Sequence, residues 1–197
     1  MIEFWFDFSS AYAYFAAAEI DDLAARTGRP IWWRPYMLGT AFKATGATGL
    51  SSTPLKRDYA CHDWARLARL KGLPFRLPPD HPKIALAATR VFYWIEEQDP
   101  AAATAFAREV FRRYYTEGLD TADVGALLTL TAVLGFDEAA VRAGVEAPVL
   151  KARVKAISEG AVARGIFGSP FFMVDGEAFW GHDRMAMLAE WLRRGGW

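Results

Sequence analysis

Only one cysteine, Cys61, occurs in the chain, so no intrachain disulfide and no CxxC redox pair can form. Histidine is nearly as scarce. His62, His81 and His182 are scattered and make no metal-ligand spacing, so no metal is expected. An excess of either charge is also missing. Lys plus Arg and Asp plus Glu each number 23. That balance leaves no electrostatic footprint for nucleic acid or an anionic membrane. No apolar run approaches the roughly 20 residues that a membrane helix needs. The Met1-Ile2-Glu3 start has no basic flank before its apolar stretch, so no signal peptide is read there. These absences predict a soluble, cytoplasmic protein. Apolar residues, in contrast, are plentiful: 53% of the 197 residues are hydrophobic and 15% aromatic. This supports one sizeable core and excludes disorder. The length fits one domain, or one domain with a large insertion.

Ile2 to Phe6 is a short aromatic and β-branched run that reads as a buried strand ending at Asp7. After Ser9 and Ser10, a helix is predicted from about 11 to 26, with Ala16, Ile20 and Leu23 at i, i+4 and i+7. Gly28 closes it. Ile31 to Trp33 is a second strand, between Pro30 and Pro35. A crossover of this length makes the two strands parallel. From about 40 to 165 the pattern is all helical. Thr53-Pro54 reads as a helix start, followed by Ala60, Trp64 and Leu67 on one face. Later faces are Ile84, Ala87, Val91 and Trp94; Ala103, Phe106, Val110 and Tyr114; Val124, Leu127, Thr131 and Leu134. A short helix starts at Asp137, and another carries Leu150, Val154, Ile157 and Ala161. After Gly165 strands return. Phe171 to Val174 and Ala178 to Trp180 flank Asp175-Gly176, a two-residue hairpin signal. Asp183 opens a last helix with Met187, Leu188 and Trp191 facing inward. The order βαβ, helical block, ββα predicts an α/β thioredoxin-like fold. Residues 1–37 and 166–197 form it, and residues 38–165 form a large all-helical insertion.

Three segments carry a resemblance. They are Phe6-Asp7-Phe8-Ser9-Ser10-Ala11-Tyr12-Ala13-Tyr14, Gly165-Ile166-Phe167-Gly168-Ser169-Pro170-Phe171-Phe172, and Phe179-Trp180-Gly181-His182-Asp183-Arg184. In this order and spacing they span nearly the whole chain. The sequence resembles the 2-hydroxychromene-2-carboxylate isomerases, relatives of the kappa-class glutathione transferases with a DsbA-like thioredoxin fold. The resemblance implies glutathione as cofactor, a homodimer, and conversion of 2-hydroxychromene-2-carboxylate to trans-o-hydroxybenzylidenepyruvate.

Each candidate residue has a plainer structural reading beside the functional one. Ser9 and Ser10 serve equally well as an N-cap, and on residue type alone the cap is the stronger reading. The resemblance places on Ser10 a hydroxyl that stabilises a glutathione thiolate at a positive helix end. The family has proline after this serine, where this chain has Ala11. Pro170 by itself reads as a proline opening a strand. The resemblance implies a cis bond after Ser169, which offers the Ser169 backbone to an extended peptide, with Gly168 allowing close approach. Asp183 reads as a helix cap. The resemblance assigns Trp180, Gly181, His182 and Asp183 to the γ-glutamyl end of glutathione, with Asp183 facing its ammonium.

Lys43 reads as a surface lysine, and by resemblance as a partner for the substrate carboxylate. Lys56 and Arg57 are weaker candidates for the glycine carboxylate. Trp32, Trp33, Phe42 and Trp64 read as core, with one or two available to wall an aromatic slot. Cys61 and His62 are adjacent on a helix and point about 100° apart, so Cys61 reads as structural. The leading expectation is a glutathione-dependent isomerase. A kappa-like transferase and a non-catalytic glutathione-binding protein are the alternatives. A disulfide oxidoreductase is argued against by the missing CxxC.

Overall fold

The computed structural model describes residues 1–197. Strand β1 (Ile2–Phe6) leads to helix α1 (Ala11–Thr27) and strand β2 (Ile31–Pro35). Seven helices follow: α2 (Leu38–Thr45), α3 (Lys56–Lys71), α4 (Leu86–Glu96), α5 (Pro100–Glu117), α6 (Val124–Val133), α7 (Glu138–Glu146) and α8 (Pro148–Ala163). Strands β3 (Phe171–Val174) and β4 (Glu177–Trp180) and helix α9 (Met185–Arg194) complete the chain. The sheet order is β2-β1-β3-β4. β1 and β2 are parallel with Ile2 opposite Ile31, and β3 runs antiparallel to both β1 and β4. This is the expected thioredoxin-type α/β sheet interrupted by a helical insertion.

Local chemistry explains most boundaries. Ser10 caps α1, and Gly28 ends it in the left-handed region at φ 65°, where glycine carries no Cβ penalty. Asp99 caps α5 ahead of Pro100, and Asp137 caps α7. Asp175 and Gly176 have φ of 50° and 86°, the double positive of a type I′ hairpin turn. On one sheet face Ile2, Phe4 and Phe6 join Trp33, Phe172 and Phe179 in the main core. This core continues into the helices, since Phe6 packs 5.2 Å from Phe111. On the other face Trp5, Tyr36 and Phe171 form a smaller cluster with Ala41 of α2 and Ala161 of α8.

Several expected details differ. α3 starts at Lys56, two residues past Pro54, because Leu55 adopts φ 65° and breaks the helix before it. A 3-10 turn, Leu50–Ser52, precedes it. Ile84 lies outside α4 and is 72% exposed, so it is not part of that helix face. Asp183 does not open the last helix. It sits in a 3-10 turn, His182–Arg184, and makes no cap hydrogen bond. Its carboxylate pairs with Arg184 instead. In α9 Leu188 and Trp191 face the core as expected, joined by Met185, while Met187 is exposed. Trp33 and Trp64 are buried, but Trp32 stands at the rim of β2 and is not core.

Candidate active site

The end of β1, the start of α1 and the loop before β3 meet at one point. Asp7 begins the turn out of β1 and its carboxylate is buried. Asp7 Oδ1 accepts the Ser9 N–H at 2.9 Å, and Oδ2 accepts the Leu38 N–H at 3.1 Å. Burial pushes the Asp7 carboxyl above its ordinary pKa, against the opposing pull of those N–H groups. This turn decides between the two serines. The Ser9 hydroxyl donates to the Lys83 carbonyl. The Ser10 side chain accepts the Ala13 N–H at 3.3 Å and is the cap.

Two hydrogen bonds stitch this turn to the loop carrying Ser169. The Asp7 N–H donates to Ser169 Oγ at 2.9 Å, and the Ser10 hydroxyl donates to the Ser169 carbonyl at 2.7 Å. The peptide between Ser169 and Pro170 is cis, as the resemblance implies. The buried Tyr36 hydroxyl holds the Gly168 carbonyl at 2.7 Å, and the Gly181 N–H donates to the Pro170 carbonyl at 3.0 Å. Among the N–H groups without a partner here are those of Ala11 and Tyr12 in the first turn of α1, and of half-buried Ser169. The first pair is the usual unsatisfied start of a helix. The result is a concentration of donors around the Ser10 hydroxyl, which suits a negatively charged atom.

The Ser169 backbone is only half as expected. Its N–H is free, but its carbonyl is taken by Ser10. Gly168 also has another use. A Cβ there would lie 2.1 Å from Trp180 Nε1, so glycine makes room for this indole, which also packs 4.9 Å from Phe167. Asp183 is exposed beside Gly181, where a Cβ would come within 2.5 Å of its Oδ1. His182 turns away from this group. Its Nε2 lies 3.1 Å from Glu19 on α1, and Glu19 also holds Lys71. Burial lowers the His182 pKa, with Lys71 adding to the shift and Glu19 opposing it. Lys43 is exposed in the last turn of α2 and makes no ion pair. Lys56 and Arg57 are exposed at the start of α3, and Arg57 donates to the Ser51 carbonyl.

The sequence reading passed over a second polar chain beside this turn. His81 is buried, with Nδ1 2.9 Å from the Tyr114 hydroxyl and Nε2 2.9 Å from Ser51 Oγ. The Lys83 N–H also donates to Tyr114. Burial, helped by Arg57, brings the His81 pKa down to about 4, so the ring is neutral near pH 7. Ser9 joins the same chain through Lys83. The helical insertion is thereby anchored to the turn that carries Ser9 and Ser10. The separations from Ser51 to His81 to Tyr114 carry no local signal that would have found this group.

A DSBA-like thioredoxin domain is matched over residues 1–193. A 2-hydroxychromene-2-carboxylate isomerase of Sphingobium xenophagum is 30% identical over 193 residues, covering 97% of this chain and 97% of its own. Glutathione s-transferase kappa 2 of Caenorhabditis elegans is 25% identical over 207 residues, covering 98% of this chain and 91% of that protein. A solved structure of selenomethionine 2-hydroxychromene-2-carboxylate isomerase superposes with a TM-score of 0.88 at 26% identity, over 98% of this chain and 94% of that one.

Proposed function

The chain belongs to the DSBA-like thioredoxin-domain family and to the family of the 2-hydroxychromene-2-carboxylate isomerases, and from that premise we propose a glutathione-dependent cis–trans isomerase. Its substrate is 2-hydroxychromene-2-carboxylate or a related intermediate of aromatic breakdown. The product is trans-o-hydroxybenzylidenepyruvate or its counterpart. The observation that carries this reading is the Ser10 hydroxyl set beside the unpartnered N–H groups of Ala11, Tyr12 and Ser169. The kappa-transferase relative supports glutathione as the thiol.

Bound glutathione would supply a thiolate whose reversible addition turns a double bond of the substrate into a rotatable single bond. The residues present fit that group. The free Ala11 and Tyr12 N–H groups and the positive end of α1 favour an anion beside Ser10. Ser10 has one proton to give, and it now points at the Ser169 carbonyl. To stabilise a thiolate, Ser10 must turn that proton towards the sulfur. The turn releases the Ser169 carbonyl beside its already free N–H. Both are then open to an extended peptide backbone, in the manner of an added strand. Ser10 and Ser169 therefore act as a pair. Pro170, Trp180 and Gly181 frame the groove, and Asp183 offers a carboxylate to an ammonium. His182 contributes by bracing this turn against Glu19. Lys43 is the cation assigned to the substrate carboxylate.

Ser10→Ala is expected to lower turnover about 10²–10³-fold, the usual loss for one donor to a developing anion. Glutathione affinity should fall much less, since the backbone donors remain. Full turnover in Ser10→Ala would overturn the assignment. Product analysis tests the reaction class. An isomer with glutathione recovered supports an isomerase, whereas a lasting thioether favours a kappa-like transferase. Tight glutathione binding with no turnover of any chromene or enone would indicate a binding protein.

A further inference from the structure

On the sheet face away from the main core, a cavity of about 330 Å³ opens between β1, β2 and α8. Trp5, Ile157, Gly160 and the side chains of Arg34, Arg153 and Arg164 line it. Two of these guanidiniums are already committed. Arg164 pairs with both carboxylate oxygens of Glu3 at 2.8 Å. Arg153 holds Glu96 at 2.7 Å, Glu97 at 2.8 Å and the Tyr93 carbonyl at 3.0 Å. Arg34 has no such partner. It makes no ion pair, and its Nε is buried without a hydrogen bond. The nearby carboxylates are turned to other donors. Glu3 also accepts from Trp5 Nε1, and Glu96 from Trp32 Nε1.

Arg34 is instead held by its flat face. Its guanidinium carbon lies 4.1 Å from the Trp32 ring centroid and 4.8 Å from that of Trp5. Stacking of this kind fixes a guanidinium while leaving its in-plane N–H donors unused. With Nε closed off from solvent, the Nη1 and Nη2 donors match an oxyanion with two oxygens, which takes a pair of parallel hydrogen bonds. With Glu3, Glu96 and Glu97 counted, the cluster of three arginines is neutral. A general positive field therefore does not explain anion binding here, and direct contact with Arg34 must supply it.

We propose that this cavity binds the oxyanion head of a small molecule, a phosphate or phosphate ester, through the unpaired guanidinium of Arg34. Ile157 and Ala156 would take an apolar body attached to that head, since Trp5 is buried behind the arginines. The site lies apart from the Ser10 groove and does not depend on the proposed reaction.

The test is titration of ¹⁵N-labelled full-length protein with inorganic phosphate and with phenyl phosphate, read by NMR. The buried Arg34 Nε–H is a reporter protected from exchange. Wild type should bind both probes saturably, with the Arg34 signal shifting. Tighter binding of phenyl phosphate would identify an organic phosphate as the occupant, and equal binding would identify the free ion. Arg34→Met keeps an apolar stem against both tryptophans and should weaken binding about tenfold or more. Arg34→Lys keeps the charge but loses the fork, and should fall between the two. Saturating glutathione should leave phosphate affinity unchanged. The proposal is overturned by no saturable binding in wild type, by wild-type affinity in either Arg34 variant, or by displacement of phosphate with glutathione.

Discussion

The same four strands build two unlike faces. Towards α1 and the insertion, alternate residues are Ile2, Phe4, Phe6, Trp33, Phe172 and Phe179, and every one is buried among hydrocarbon. Phe4 stacks on Phe172 at 5.4 Å and Phe6 meets Phe111 at 5.2 Å. Towards α8 the intervening residues are Glu3, Trp5, Arg34 and Tyr36, which mix ion pairs, stacked cations and a hydroxyl. The period of two in a strand is what separates them. The apolar face is built for stability. The mixed face is built for position: Tyr36 holds the loop leading to Ser169, and Arg34 is left with donors to spare.

The largest test of this contrast is Phe6→Ala. It removes a fully buried ring among several others and should cost about 3–5 kcal/mol in a urea melt. A loss no greater than that of a substitution on the mixed face would erase the distinction. Next comes Tyr36→Phe. It strips a hydroxyl from a buried carbonyl partner, Gly168, and should cost about 1–3 kcal/mol. Because Gly168 adjoins Ser169, the same variant should also weaken glutathione binding in calorimetry. Unchanged affinity would show that this face does not position the groove.

Two carboxyls of the β1 segment sharpen the contrast through pH. Burial raises the pKa of Asp7 above its ordinary 3.8. The native state then holds the proton more tightly than the unfolded chain. That stabilisation is full below about 3.8 and is lost as pH rises through the folded value. Glu3 goes the other way. Burial opposes its ionisation, but hydrogen bonds from Arg164 and Trp5 outweigh it, and the pKa falls below 4.5. Its contribution is present above about 4.5 and is lost as pH falls through the folded value. Urea melts between about pH 3 and 8 should show Asp7→Asn removing a decline towards neutral pH and Glu3→Gln removing a decline towards acid. Identical slopes in the two variants would contradict this pairing. At neutral pH Glu3→Gln is the smallest effect, below about 1 kcal/mol, as expected for an ion pair whose arginine, Arg164, is 45% exposed and screened by water.

Much of this was legible before any coordinates. A serine cap at Ser9 or Ser10, Asp175-Gly176 as a hairpin turn, and the helix end at Gly28 all rest on interactions within a few residues. Such signals survive in one dimension. The placement of Asp183 failed for the same kind of reason. An acid before an apolar run signals a cap, but here a 3-10 turn intervenes and Arg184, its neighbour, takes the carboxylate. The resemblance groups His182 with the cofactor residues. In the fold its Nε2 also lies 3.1 Å from Glu19, which no spacing rule connects to it.

The sequence by itself determined the order of strands and helices, the parallel β1–β2 pair, and the lack of an intrachain disulfide or CxxC pair. These follow from periodicity, turn residues and cysteine count, each a property of adjacent residues. Only the tertiary structure decided which serine caps and which one holds Lys83, that Ser10 shares its proton with Ser169, that His81 joins Ser51 to Tyr114, and that Arg34 stands between two tryptophans without a counter-ion. Each of these joins residues far apart in the chain. A hydrogen bond or a stacked ring depends on distances of a few ångströms that the packed core sets, and no local pattern encodes them.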